Sequence, residues 1–129
     1  MKPENGNSKK VLCVCRGGNS RSVGLAYTLK YCFGHDALAC GVEGNDSETV
    51  EMLCNWAEYI ICMRPEFKEK IPSKFWHKTE VLDVGYDRYF NPHPDLIEQC
   101  SKFIGEHRIL GKITKEEKKK RATEIYFAE

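Results

Sequence analysis

The sequence has no long hydrophobic run, almost no net charge and no internal repeat. No apolar stretch approaches the roughly 20 residues needed to cross a bilayer. The net charge is +1 over 129 residues, so no overall field draws in nucleic acid or an acidic membrane. Residues Met1 to Lys10 are polar and lack the apolar core of a signal peptide. Zinc-type spacing is also missing: Cys13-x-Cys15 is too tight, and no second Cys/His pair stands at a suitable distance. The expectation is therefore a single-domain cytoplasmic protein with no metal, no cofactor, no membrane partner and no nucleic-acid partner.

What the chain does have is seven cysteines. The number is odd, no spacing repeats, and several lie in apolar segments. That pattern fits reduced, buried thiols in a cytoplasmic enzyme better than a disulfide framework. One of them, Cys15, stands apart. Val11 to Val14 read as a short buried strand, and Cys15 to Ser22 hold two glycines and no aliphatic or aromatic residue. From Val23 the spacing turns helical, with Val23, Ala26, Tyr27 and Lys30 near one face. A strand thus runs into a small-residue loop that opens a helix, and this is an anion cradle. Glycines let backbone N–H groups turn inward, and the free N–H groups of a helix start carry partial positive charge.

Two side chains sharpen the cradle. Cys15 and Arg21 form Cys-x5-Arg, followed at once by Ser22. A thiol beside inward amides, a helix N-terminus and a guanidinium is expected to sit as thiolate. Arginine offers a planar fork that matches two phosphate oxygens, and a serine hydroxyl can donate to the thiolate. These parts specify nucleophilic attack on a bound phosphate ester. Cys15, Arg21 and Ser22 are the expected catalytic residues. Arg16, Gly17, Gly18, Asn19, Ser20 and Arg21 are the expected phosphate-binding loop.

The stretch Val11-Leu12-Cys13-Val14-Cys15-Arg16-Gly17-Gly18-Asn19-Ser20-Arg21-Ser22 resembles the signature of the low-molecular-weight protein tyrosine phosphatases. That family places Cys-x5-Arg-Ser directly after its first strand. Other Cys-x5-Arg phosphatases carry the cysteine late in the chain. This sequence departs from the pattern in three places: Ser20 replaces a second cysteine, Val23 replaces a proline, and Asn19 stands one place later than the usual asparagine. The resemblance implies a cysteinyl-phosphate mechanism on a phosphorylated protein or small aryl phosphate. It also implies a general acid after the last strand, in an Asp-Pro-aromatic-aromatic run. Asp87-Arg88-Tyr89-Phe90 is similar to that run, with Arg88 for proline and a loop one residue longer. Asp87 is the first choice for the acid, Asp83 the second, and His93 a third. Tyr86, Tyr89 and Phe90 are read either as a wall for an aromatic leaving group or as packing against the last helix. Two other readings remain. One is arsenate reductase chemistry on the same loop, which needs two further shuttling thiols; the other is a binding module without turnover.

The rest of the chain alternates. Residues 1–9 read as a polar lead, 10–111 as the phosphatase domain, and 112–129 as a charged helix or tail. Within the domain, a first helix is expected from Arg21 to Phe33, ending at Gly34, and a strand over Ala37 to Val42. A helix capped by Ser47 follows, then a buried strand over Tyr59 to Met63 and a helix from Pro65 to about Ile71. A strand over Glu80 to Val84, a loop to Pro94 and a final helix through Ile104 complete the order. The β-α-β-α-β-α-β-α sequence predicts an α/β fold: one four-stranded parallel sheet with helices on both faces.

Overall fold

The computed structural model describes residues 8–17, 20–85 and 93–112. The lead up to residue 7, the stretch 86–92 and the segment from 113 onward lie outside these residues. Strands β1 (Lys10–Cys15), β2 (Asp36–Gly41), β3 (Tyr59–Cys62) and β4 (Thr79–Val81) form one parallel sheet in the order β2-β1-β3-β4. Helices α1 (Arg21–Phe33), α2 (Ser47–Trp56), α3 (Pro65–Lys68) and α4 (Pro94–Gly105) connect and follow them. The expected α/β architecture is therefore present. No helix among the described residues is long and apolar enough to cross a membrane.

The topology follows from burial and handedness. Val11 to Cys15 are all buried, as a central strand covered on both faces requires. The chain moves outward from β1 to β2, then back over β1 to β3 and on to β4. Right-handed crossovers then put α1 on one face and α2 and α3 on the other. Helix α4 returns to pack on α1. The reversal of direction falls between β1 and β3, where Val14 pairs with Cys62. In such sheets the crevice beyond the strands' carboxyl ends at the switch point is where ligands bind.

Local chemistry sets the element ends. Helix α1 stops at Gly34, whose φ of 81° is left-handed and whose N–H reaches the Lys30 carbonyl. The N-cap of α2 is Asp46, not the expected Ser47: its carboxylate accepts from the Thr49 N–H at 2.7 Å, and Ser47 is the first helical residue. A carboxylate at this position also meets the positive end of the helix. Helix α3 ends at Lys68, short of the expected Ile71, and Pro72 disfavours helical backbone at the residue before it. A 3₁₀ helix over Ser73–Lys78 follows, held by Trp76, whose indole N–H donates to the Ile71 carbonyl at 2.8 Å. Strand β4 is shorter than expected, Thr79–Val81, although Leu82 and Val84 still donate to the Cys62 and Met63 carbonyls. Helix α4 begins at Pro94 with His93 as its cap, the ring Nδ1 accepting from the Asp95 N–H at 3.1 Å. His93, the third candidate for the acid, thus serves the helix.

Candidate active site

Cys15 is the last residue of β1, at the carboxyl edge of the sheet. Its carbonyl accepts from the Val42 N–H at 3.0 Å, and the Arg16 carbonyl accepts from the Glu43 N–H at 3.0 Å. The β1–β2 pairing therefore continues into the start of the loop and fixes the point where the chain turns away. At the far end of the loop Ser20 caps α1, and Arg21 and Ser22 are its first two residues. Both are buried, with relative exposures of 3% and 0%. Polar side chains are rarely so buried without a partner.

Ser22 finds that partner in the thiol. Its Oγ lies 3.1 Å from Cys15 Sγ, close enough for a hydrogen bond. Arg21 is held on two sides: Nη1 donates to the Gly85 carbonyl at 2.9 Å, and the guanidinium carbon lies 5.2 Å from the centre of the Phe67 ring. Its Nε is buried and has no hydrogen-bond partner among the described residues. A buried guanidinium N–H without an acceptor is costly, of the order of 1–3 kcal/mol or more, because it has given up water for nothing.

The remaining expected residues fall into three groups. Gly17 is exposed in the loop, close to the β2–α2 turn: a side chain at Gly44 would stand 3.8 Å from the Gly17 carbonyl. The Arg16 side chain turns outward and lies 3.9 Å from the Glu43 carboxylate. Asp83 is at the same sheet edge, where its Oδ1 accepts from the Gly85 N–H at 2.9 Å and stands 3.5 Å from Arg64 Nη1. Gly18, Asn19 and Asp87 lie outside the described residues, as do Tyr86, Tyr89 and Phe90.

Three participants were not singled out from the sequence. Phe67 reads as ordinary core, and only the fold brings it under Arg21. Arg64 follows β3 and pairs with Glu66 at 3.2 Å as well as with Asp83. Its signal was available: a charged residue at the carboxyl end of a buried parallel strand sits at the ligand edge. The Gly85 contribution is a backbone carbonyl, which no side-chain pattern announces.

All seven cysteines are free thiols. Burial pushes the Cys54 thiol up to about 11 and those of Cys62 and Cys100 up to about 12, and it raises Cys13 and Cys40 as well. These thiols are held neutral in the core. Among the described residues no cluster of His, Cys, Asp and Glu has the arrangement of a metal site.

The fold is a single parallel α/β domain with the loop from Cys15 to Arg21 at its switch point. Two solved structures share this fold. One is Wzb from Vibrio vulnificus in complex with benzylphosphonate, with a TM-score of 0.55 and 16% identity over 92% of this chain and 99% of that one. The other is the YwlE arginine phosphatase from Geobacillus stearothermophilus, with a TM-score of 0.55 and 17% identity over 92% of this chain and 97% of that one. No protein-family model matches the chain, and no curated protein matches it by sequence.

Proposed function

We propose that the protein is a cysteine-dependent phosphate-monoester hydrolase of the protein-tyrosine-phosphatase type. The observation that carries this reading is the buried Arg21 side chain, fixed by Gly85 and Phe67, whose Nε–H has no partner among the described residues, next in sequence to the Ser22 that contacts the Cys15 thiol. In this mechanism two oxygens of the phosphoryl group lie on the Arg21 fork and the rest on loop amides and the helix start. Cys15 Sγ, as thiolate, attacks phosphorus, and the bond from phosphorus to the leaving oxygen breaks. Asp87 gives that oxygen its proton. Water then attacks the thiophosphate and releases inorganic phosphate and the thiolate.

One observation supports the substrate class: a matched structure holds benzylphosphonate, which pairs an aromatic ring with a phosphoryl-like head. An aryl phosphate or a phosphorylated protein is the corresponding substrate here, and a compartment that keeps thiols reduced is the matching location. The arsenate-reductase alternative needs two further reactive thiols. Cys54 and Cys62 are buried and pushed up to about 11 and about 12, which leaves them poorly suited to thiol exchange.

Steady-state hydrolysis of aryl phosphates tests the assignment. Cys15→Ser is expected to abolish turnover while still binding inorganic phosphate. Asp87→Asn is expected to lose about 10²–10⁴-fold for a poor leaving phenol and far less for an activated one. Equal turnover by Cys15→Ser and the unaltered protein excludes the mechanism. Phosphate binding without turnover in the unaltered protein favours the binding-module reading.

A further inference from the structure

Asp83 sits where a general acid could stand, yet its contacts serve another purpose. Its Oδ1 accepts the Gly85 N–H at 2.9 Å, closing a turn over 83–85. Gly85 has a φ of +84°, a backbone conformation that other residues rarely adopt. Among the described residues no atom crowds this glycine, and its positive φ makes the need conformational. The carbonyl of this same residue receives Arg21 Nη1 at 2.9 Å. The turn is tied to the sheet by the Val84 N–H on the Met63 carbonyl at 3.2 Å. On the other side, Arg64 Nη1 stands 3.5 Å from the same Asp83 oxygen, while its Nε donates to Glu66 at 3.2 Å.

Resting on the phosphatase reading above, we infer that Asp83 is a positioning residue: it fixes the Gly85 carbonyl that orients the Arg21 fork. The path has three links. The Asp83 carboxylate sets the Gly85 N–H, the left-handed turn sets the Gly85 carbonyl, and that carbonyl holds Nη1. With Nη1 held and Phe67 beneath the plane, the guanidinium cannot rotate. The edge bearing Nε–H, which has no partner among the described residues, is then held in one orientation and left for a bound phosphoryl group. Arg64 holds the carboxylate from behind, so a change in its charge pairing reaches Arg21 through the same turn. The Asp83 oxygen faces these donors, not a leaving group.

Two substitutions separate positioning from proton donation. Asp83→Asn keeps a side-chain oxygen for the Gly85 N–H, whereas Asp83→Ala removes it. Inorganic phosphate binding by calorimetry and kcat/KM on good and poor aryl leaving groups are compared for both. Asp83→Ala is expected to weaken phosphate binding about tenfold, the effect of losing one hydrogen bond that orients a charged group. Its kcat/KM should fall by a similar factor, equally for both leaving groups. Asp83→Asn should stay within about threefold of the unaltered protein in both measurements. Equal damage in the two variants, growing with poorer leaving groups at unchanged phosphate affinity, overturns the inference and makes Asp83 the acid. So does unchanged phosphate binding in Asp83→Ala. If the unaltered protein binds no phosphate, the phosphatase reading fails, and NMR of the Arg21 Nε–H still decides the positioning role. Its exchange with water should quicken in Asp83→Ala and not in Asp83→Asn; the same exchange in both contradicts it.

Discussion

At the scale of single residues, the account rests on what Arg21 can do that another cation cannot. Its guanidinium is fastened by one terminal nitrogen, stacked on Phe67 and still left with a buried N–H to offer. Lysine keeps the charge but has neither a plane to stack nor a second point of contact. Arg21→Lys is therefore expected to lower kcat/KM for an aryl phosphate by at least about 10²-fold, since a charge-assisted, two-point contact is lost. Steady-state kinetics checks this, and near-normal values would mean that the loop does not hold phosphate as described. The grouping of Cys15, Ser22 and this arginine was legible in the sequence, because their spacing is local: one strand end, one loop and one helix start. Phe67, Arg64 and the Gly85 carbonyl were not. They come from other elements and meet the loop only when the sheet is assembled.

At the scale of elements, the position of the loop depends on how closely α4 can approach α1. Gly24 lies two residues beyond Ser22 in α1, and a side-chain carbon there would stand 2.5 Å from Leu96 Cδ2. Leu96 is fully buried at the start of α4, so it has little room to yield. Alanine improves helix propensity by up to about 1 kcal/mol, but overpacking a filled site costs about 1–3 kcal/mol. The clash should win. Gly24→Ala is expected to lower stability by about 1–2 kcal/mol in urea unfolding, and shortening Leu96 to valine in the same chain should recover part of it. A more stable Gly24→Ala would show that α4 moves freely on α1. The elements were readable where pattern and punctuation agree, as at α1 with Gly34 and α4 with Pro94. They were misread where the pattern is weak. Ser47 and Asp46 are both good caps, and only the hydrogen bond to Thr49 separates them. The 3₁₀ helix at Ser73–Lys78 has no periodic apolar face to announce it, and β4 is an edge strand whose pairing stops where the Asp83 turn begins.

At the scale of the whole molecule, the two ends of the described domain are joined through one buried histidine. His35 Nδ1 accepts from the Lys9 N–H at 3.1 Å, and Nε2 donates to the Leu110 carbonyl at 2.8 Å. Both bonds are made by the neutral ring. Burial lowers the His35 pKa below its ordinary value, outweighing the opposing hydrogen bond to Leu110. The unfolded chain therefore binds the proton more readily. The stabilisation is complete above the ordinary histidine value of about 6.5 and is lost as the pH falls below it, down to the folded-state value. Urea unfolding between about pH 8 and about pH 5 should show this decline, and His35→Gln should flatten it. The same slope in both proteins would place the proton uptake elsewhere. Sheet order, crossovers and this clasp serve a single consequence: Cys15 stands at the topological switch point, on the loop that ends at the fixed Arg21. The central claim is that Cys15 carries the phosphoryl group during turnover. It is tested most directly by quenching the reaction with acid during hydrolysis of an aryl phosphate and mapping the mass of the protein. The account predicts one phosphoryl group on the peptide containing Cys15, with a burst of about one phenol per enzyme. Turnover with no phosphorylated thiol and no burst, or with the phosphoryl group on another residue, would contradict it.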